Sequence, residues 1–172
     1  MTIFLIPAPA MISDVNTGYS AAIGEVRLGF GAMSIGFGSI AAGTAASSIG
    51  IANAAINTAA FVTGRENVGS FATLVGGYHN RVTGPTAFSV GENNLVPGKG
   101  AFSAGENNLA QGKVAVAIGV NSQALADAAV AIGNTTTAEC AYSLALNAAT
   151  QARANCATAL GHGTITAQQF DD

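Results

Sequence analysis

Short phrases in which small and large apolar residues alternate recur along most of this chain. Ala87-Phe88-Ser89-Val90, Ala101-Phe102-Ser103-Ala104, Ala115-Val116-Ala117-Ile118 and Ala129-Val130-Ala131-Ile132 each run into a glycine. Alternation of period two predicts a strand with one face of small side chains and one of larger apolar ones. The closing glycines form a ruler: Gly36, Gly50, Gly64, Gly77, Gly91, Gly105, Gly119 and Gly133, then Asn147 and Gly161. Successive marks lie 14 residues apart, with one step of 13 between Gly64 and Gly77. Asparagine fits at 147, because it tolerates positive φ better than other non-glycine residues. The column is therefore read as a backbone turn.

Three positions after the ruler stands a second column, Ser39, Asn53, Asn67, Asn80, Asn94, Asn108, Ser122, Thr136, Thr150 and Thr164, made only of Ser, Thr and Asn. Such side chains bond the backbone two residues on, which predicts a tight corner and a second short strand after it. Five positions after the ruler the residues are mostly small again, as at Ala41, Ala55, Ala110 and Ala124. Each coil is then two strands of four or five residues and two turns. Its period is too short for helix pairs or propeller blades and suits an all-β parallel solenoid of about ten coils.

Faces follow from the columns. Four and two positions before the ruler the residues are small and point into a thin roll. Three and one before it stand Met33 and Ile35, Phe88 and Val90, Val116 and Ile118, Val130 and Ile132, Leu144 and Leu146, with Phe102 in the same column, all on the outer face of the first strand. On the second strand the outward positions hold Arg81, Gln111, Gln123, Glu139, Gln151 and Arg153 among others, a solvated face in the later coils. All ten charges between Gly36 and Gly161 avoid the first-strand phrase. An apolar stripe ten coils tall exceeds what a monomer exposes, so self-association is expected. A parallel homotrimer covers such a stripe along its full height, in a rod about 45–50 Å long at about 4.8 Å per coil.

Composition agrees with a thin roll. Glycine (22) and alanine (36) make up roughly a third of the 172 residues, tryptophan is absent, and only 9% of residues are charged. Net charge is −3 and Lys plus Arg number six, which leaves no basic footprint for nucleic acid or an anionic membrane. The most apolar stretch, Thr2–Ile12, is broken by Pro7 and Pro9 and is about half the length of a membrane span. It lacks a positive n-region and is read as part of the mature protein.

The phrase Val116-Ala117-Ile118-Gly119-Val120-Asn121-Ser122-Gln123-Ala124 resembles the head repeat of YadA-like trimeric autotransporter adhesins, over roughly residues 32–167. The resemblance implies a left-handed parallel β-roll, trimerised through its apolar strands, in a surface adhesin head. That family also has a signal peptide, a coiled-coil stalk and a membrane β-barrel anchor, for which this chain shows no heptads and no barrel strands. The expectation is therefore a non-enzymatic virion fibre, spike or decoration protein of a bacteriophage, with host-surface adhesion as one task and a host receptor as partner. A bacterial adhesin head is the alternative. Residues 1–28 are expected to be a non-repetitive attachment segment, residues 29–167 the roll and residues 168–172 a tail. Ile3, Phe4, Leu5 and Ile6 would seat the leader on another virion protein, kept extended by the prolines.

Candidate chemistry is sparse, and no catalytic residue, metal or cofactor is expected. His79 and His162 stand in distant coils without a supporting nucleophile or carboxylate. Cys140 and Cys156 are one coil plus two residues apart, about 8 Å by strand geometry, and are expected as free thiols at small-residue positions. Glu92-Asn93-Asn94 and Glu106-Asn107-Asn108 stack like charges, to be relieved by solvent, by Lys99 and Lys113 or by a cation. The run Thr135-Thr136-Thr137 with Thr150 and Thr164 has the look of an ice-binding face but falls in a turn. A hexapeptide acyltransferase helix needs a six-residue period, which is not the one present.

Overall fold

The structure, a computed structural model, describes residues 21–23, 26, 27 and 29–167. Strands alternate between two parallel sheets of eleven strands each, and every strand pairs with its equivalent one coil on. Val116 faces Val130 and Ile118 faces Ile132 in the first sheet, while Gln123 faces Thr137 and Ala124 faces Ala138 in the second. This is a parallel β-solenoid two strands wide.

One rung precedes the ten that the ruler marks. β1 (Ala21–Ile23) pairs with β3 (Met33–Phe37), and β2 (Val26–Arg27) with β4 (Ile40–Ala42). The roll thus starts inside the segment 1–28 that was expected to be non-repetitive. The ruler passes over this rung because Ala21 and its partner Met33 are twelve residues apart. The 13-residue step costs no pairing either. Only four residues, 70–73, join Val68–Gly69 to Leu74–Tyr78, where five, 83–87, join the next pair of strands, so the missing residue is taken from a turn.

Second-sheet strands are two or three residues long, shorter than the four or five expected. Four-residue turns take up the difference. One such turn runs from Gly112 to Ala115, whose N–H donates to the Gly112 carbonyl at 3.2 Å.

The ruler residue is not the turn. Gly36 and Gly119 are the fourth residues of five-residue strands, and the ruler glycines bend those strands with φ between 104° and 141°. The corners lie two residues later, at Asn93, Asn107 and Asn121 for example, in left-handed conformation at φ 54°. A further left-handed residue stands five before the ruler, such as Val114 at φ 57°. Glycine is required in the ruler for a second reason. A Cβ on Gly119 would overlap the carbonyl oxygen of Gly133, and the same clash recurs from Gly36 to Gly133, because adjacent coils stack at strand spacing. Asn147 meets the demand by relaxing φ to 89°.

Inward columns are fully buried, as read from the alternation: Ala46, Ala115 and Ala129, then Ser48, Val62, Val75 and Ala117, then Ala41, Val82, Val96 and Ala124. Volumes are balanced locally. Gly69 interrupts the small column because a Cβ there would meet Val62 Cγ2 at 2.6 Å and Thr73 Oγ1 at 2.8 Å. The two large inward side chains Val62 and Val75 therefore require the smallest residue beside them.

The Ser/Thr/Asn column also faces inward, and its bonding differs from the expected local turn. Asn53, Asn67, Asn80, Asn94 and Asn108 are buried in a ladder. Asn80 Nδ2 donates to the Gly76 carbonyl at 3.0 Å and, in the next coil, to the Gly91 carbonyl at 2.7 Å. Its Oδ1 accepts from the backbone N–H of Asn94 at 3.0 Å and from Asn94 Nδ2 at 2.9 Å. Each asparagine thus fills the space under a bent strand and ties two coils together. The same burial of Thr136 and Thr150 removes them from any threonine surface.

Candidate interaction surface

Alternation leaves the outer face of the first sheet to the large apolar side chains. Parallel in-register pairing then stacks like on like: Phe88 over Phe102, then Val116, Val130 and Leu144 in one row, and Ile118, Ile132, Leu146 and Leu160 in the other. The Phe88 and Phe102 rings stack at 4.9 Å between centroids and 2° between planes. Of the residues expected at an interface, Ile35, Val90 and Ile132 are exposed in the single chain. Phe88, Phe102, Val116, Ile118, Val130, Leu144 and Leu146 are half-buried, mainly by their neighbours in the stack. All ten therefore lie on one continuous outer face.

The row is longer than the set named from the sequence. Ile49, Phe61, Leu74 and Leu160 occupy the same two columns and present the same face. One position after the ruler, Phe37, Ile51, Tyr78 and Val120 are also exposed, Phe37 at 78%. The same periodicity places these residues, although their coils depart from the consensus phrase. Ile3, Phe4, Leu5 and Ile6, assigned to attachment, lie outside the described residues.

A polar ridge runs along the corner beside this face. Arg65 Nε donates to Glu66 Oε1 at 3.0 Å, and its guanidinium lies 5.4 Å from the centroid of the Tyr78 ring. His79 stacks on Tyr78 at 5.5 Å and shares a 2.9 Å hydrogen bond between Nδ1 and Asn93 Oδ1. Glu92 and Glu106 each accept from their own neighbours, Asn93 and Asn107, at 3.4 and 3.1 Å. Lys99 and Lys113 do not reach them: the ion pairs among the described residues are Arg65–Glu66 and Arg153–Glu139. These exposed pairs contribute little, about 0–1 kcal/mol each. Glu139 and Arg153 stand on the second sheet's outer face, where Arg81, Gln111 and Gln123 are exposed and Gln151 is half-buried.

Both cysteines are free. Cys140 stands in a small-residue column and directs its Sγ to the Arg153 carbonyl at 3.1 Å, whereas Cys156 is exposed at a left-handed corner. Among the described residues no three His, Cys, Asp or Glu side chains group as a metal site, and no helix is long and apolar enough to cross a membrane. What the surface offers is a tall apolar face, a polar ridge and a mostly polar back. Comparison with known protein families and with curated proteins finds no match to this chain.

Proposed function

We propose that the chain is one subunit of a homotrimeric β-roll that serves as a structural, non-enzymatic rod: a fibre, spike or decoration protein of a phage virion, with adhesion to the host surface as one task. The observation that carries this reading is the apolar first-sheet face, which presents at least one large apolar side chain in every coil from Met33 to Leu160, partly exposed in the single chain. Contiguous apolar surface of that extent is ordinarily covered by another protein surface. A rod that presents one such face over its height is covered most simply by parallel copies of itself. The head-repeat phrase at Val116–Ala124 supports the trimer and the left-handed roll by resemblance. In this reading Ile3–Ile6 join the rod to another virion protein, and the opposite end meets the host receptor. The same phrase favours a second reading, the head of a bacterial trimeric autotransporter adhesin on the cell surface.

Replacing Val116 and Ile118 together by Asp tests the assembly. Both side chains point outward, so the coil remains while the face gains six carboxylates around the axis of a trimer. Sedimentation equilibrium of the unaltered chain should give three times the chain mass and of the double variant one. A monomeric unaltered chain, or an unaffected trimer in the variant, overturns the reading. Detection of the protein by mass spectrometry in purified phage particles separates the virion role from the cell-surface one.

A further inference from the structure

Residues 28–64, which include the first three coils marked by the ruler, contain no charged residue. The absence matters most on the second sheet. Higher coils carry Arg81, Gln111, Gln123, Glu139 and Arg153 on that face, with Leu95 and Ile165 exposed singly among them, whereas the base holds Ile40 and Ile56 in adjacent coils, 39% and 40% exposed, with Ala42, Ala54 and Val68 between and beside them and no charge. A trimer built on the first sheet leaves this second, opposite face uncovered. It has neither the charges of the coils above it nor the length of the trimer face, so it suits a short apolar segment better than another rod.

We propose that the chain's own segment 2–12 folds back and covers this basal face. Three observations place it there. The chain enters the roll at β1, the lowest rung of the first sheet, so the 20 residues before Ala21 begin at the base of the roll, about 10 Å across the roll from this face. Eight residues separate Ile12 from Ala21, and they span up to about 28 Å when extended, more than the height of four coils at about 4.8 Å each. Segment 2–12 is uncharged, Asp14 being the first charged residue, and its run Ile3-Phe4-Leu5-Ile6 matches a face without charge. Pro7 and Pro9 lack N–H donors, so the segment would lie across the sheet through side chains rather than extend its ladder. This goes beyond the virion reading, because it concerns the protein before it meets a partner.

The full chain has no tryptophan, so Phe4→Trp introduces a single reporter. Its emission should be blue-shifted and its quenching by acrylamide several-fold weaker than in a free peptide of residues 1–20 with the same substitution. Adding Ile40→Thr and Ile56→Thr, outward changes that a strand tolerates, should return quenching close to that of the peptide, with the far-ultraviolet circular dichroism unchanged. Should that pair disturb the roll, Ile56→Thr alone is expected to give a partial return. Peptide-like quenching in the otherwise unaltered chain overturns the proposal. Protection that ignores both substitutions overturns it as well, because the segment is then buried elsewhere. The trimer is scored separately by mass, so its failure is distinguishable from failure of the docking.

Discussion

Coils from Asn53 to Asn108 and coils from Ser122 to Thr164 share one backbone but are held from within by different means. In the lower set each inward asparagine spans two coils, and its Oδ1 accepts the backbone N–H of the next member at 2.8–3.0 Å. Four inward valines, Val62, Val75, Val82 and Val96, accompany this ladder. In the upper set the ladder thins. Ser122 still donates to the Gly133 carbonyl at 3.0 Å and receives Thr136 Oγ1 at 2.9 Å, but the Thr150 hydroxyl is buried without a partner. Inward positions there are filled by alanine, as at Ala117, Ala131 and Ala145. The difference shows that the coil is imposed by backbone stacking, which both sets share, while the interior polar residue decides how strongly adjacent coils are tied.

If backbone stacking is common to both sets, a ruler substitution should be equally severe in each. Gly91→Ala and Gly119→Ala both drive a Cβ into the carbonyl of the next coil at φ near 120°. Each is expected to cost more than about 4 kcal/mol, beyond the usual range for a single substitution. Gly161, in the last coil, has no carbonyl of a following coil against it among the described residues; the nearest described atom to an added Cβ is Thr164 Oγ1 at 3.3 Å. Gly161→Ala should therefore cost only the conformational strain, about 1–3 kcal/mol. Denaturant unfolding of the three variants checks the ranking, and equal losses at Gly119 and Gly161 would break the stacking argument.

The ladder itself is tested next. Asn80→Ala leaves the Asn94 N–H and two carbonyls buried without their partner, an expected loss of about 3–5 kcal/mol at about 1–3 kcal/mol per orphaned group, less partial relaxation. Thr150→Val, in the upper set, removes a hydroxyl that bonds nothing and should be neutral or stabilising by up to about 1 kcal/mol. Thermal unfolding of the pair measures the contrast. Similar losses in both would mean that the two halves are not held differently.

The smallest effect tests the same rule inside the lower set. Ser103 is buried beside the asparagine ladder, yet its Oγ has no partner. Ser103→Ala should change stability by less than about 1 kcal/mol, either way. A large loss, read by the same unfolding curve, would reveal a bond that the ladder geometry does not include.

Much of this was legible in the linear pattern. The period, the pairing of Val116 with Val130, the inward small columns and the outward apolar rows all follow from alternation, because a strand has two faces and a solenoid repeats them. What period alone could not place was the backbone bend. Glycine every 14 residues looks like a turn, but the turn belongs to the column of Asn93 and Asn121, where residues suited to positive φ mix with Glu66, His79 and Ala52, which are not. The mixture blurs the composition signal, since stacked corners hold their conformation through backbone bonds such as Asn107 N–H to the Glu92 carbonyl at 2.9 Å. The lowest rung escaped for a related reason, its twelve-residue spacing falling outside the ruler.

By itself, then, the sequence determined the repeat, the two faces and the apolar stripe, because these depend on residue type at fixed spacing. Tertiary stacking decided which ruler position bends, where the asparagines reach and which strand begins the roll. Those depend on the carbonyl of one coil lying against the next, a contact between residues 14 apart that no local propensity encodes.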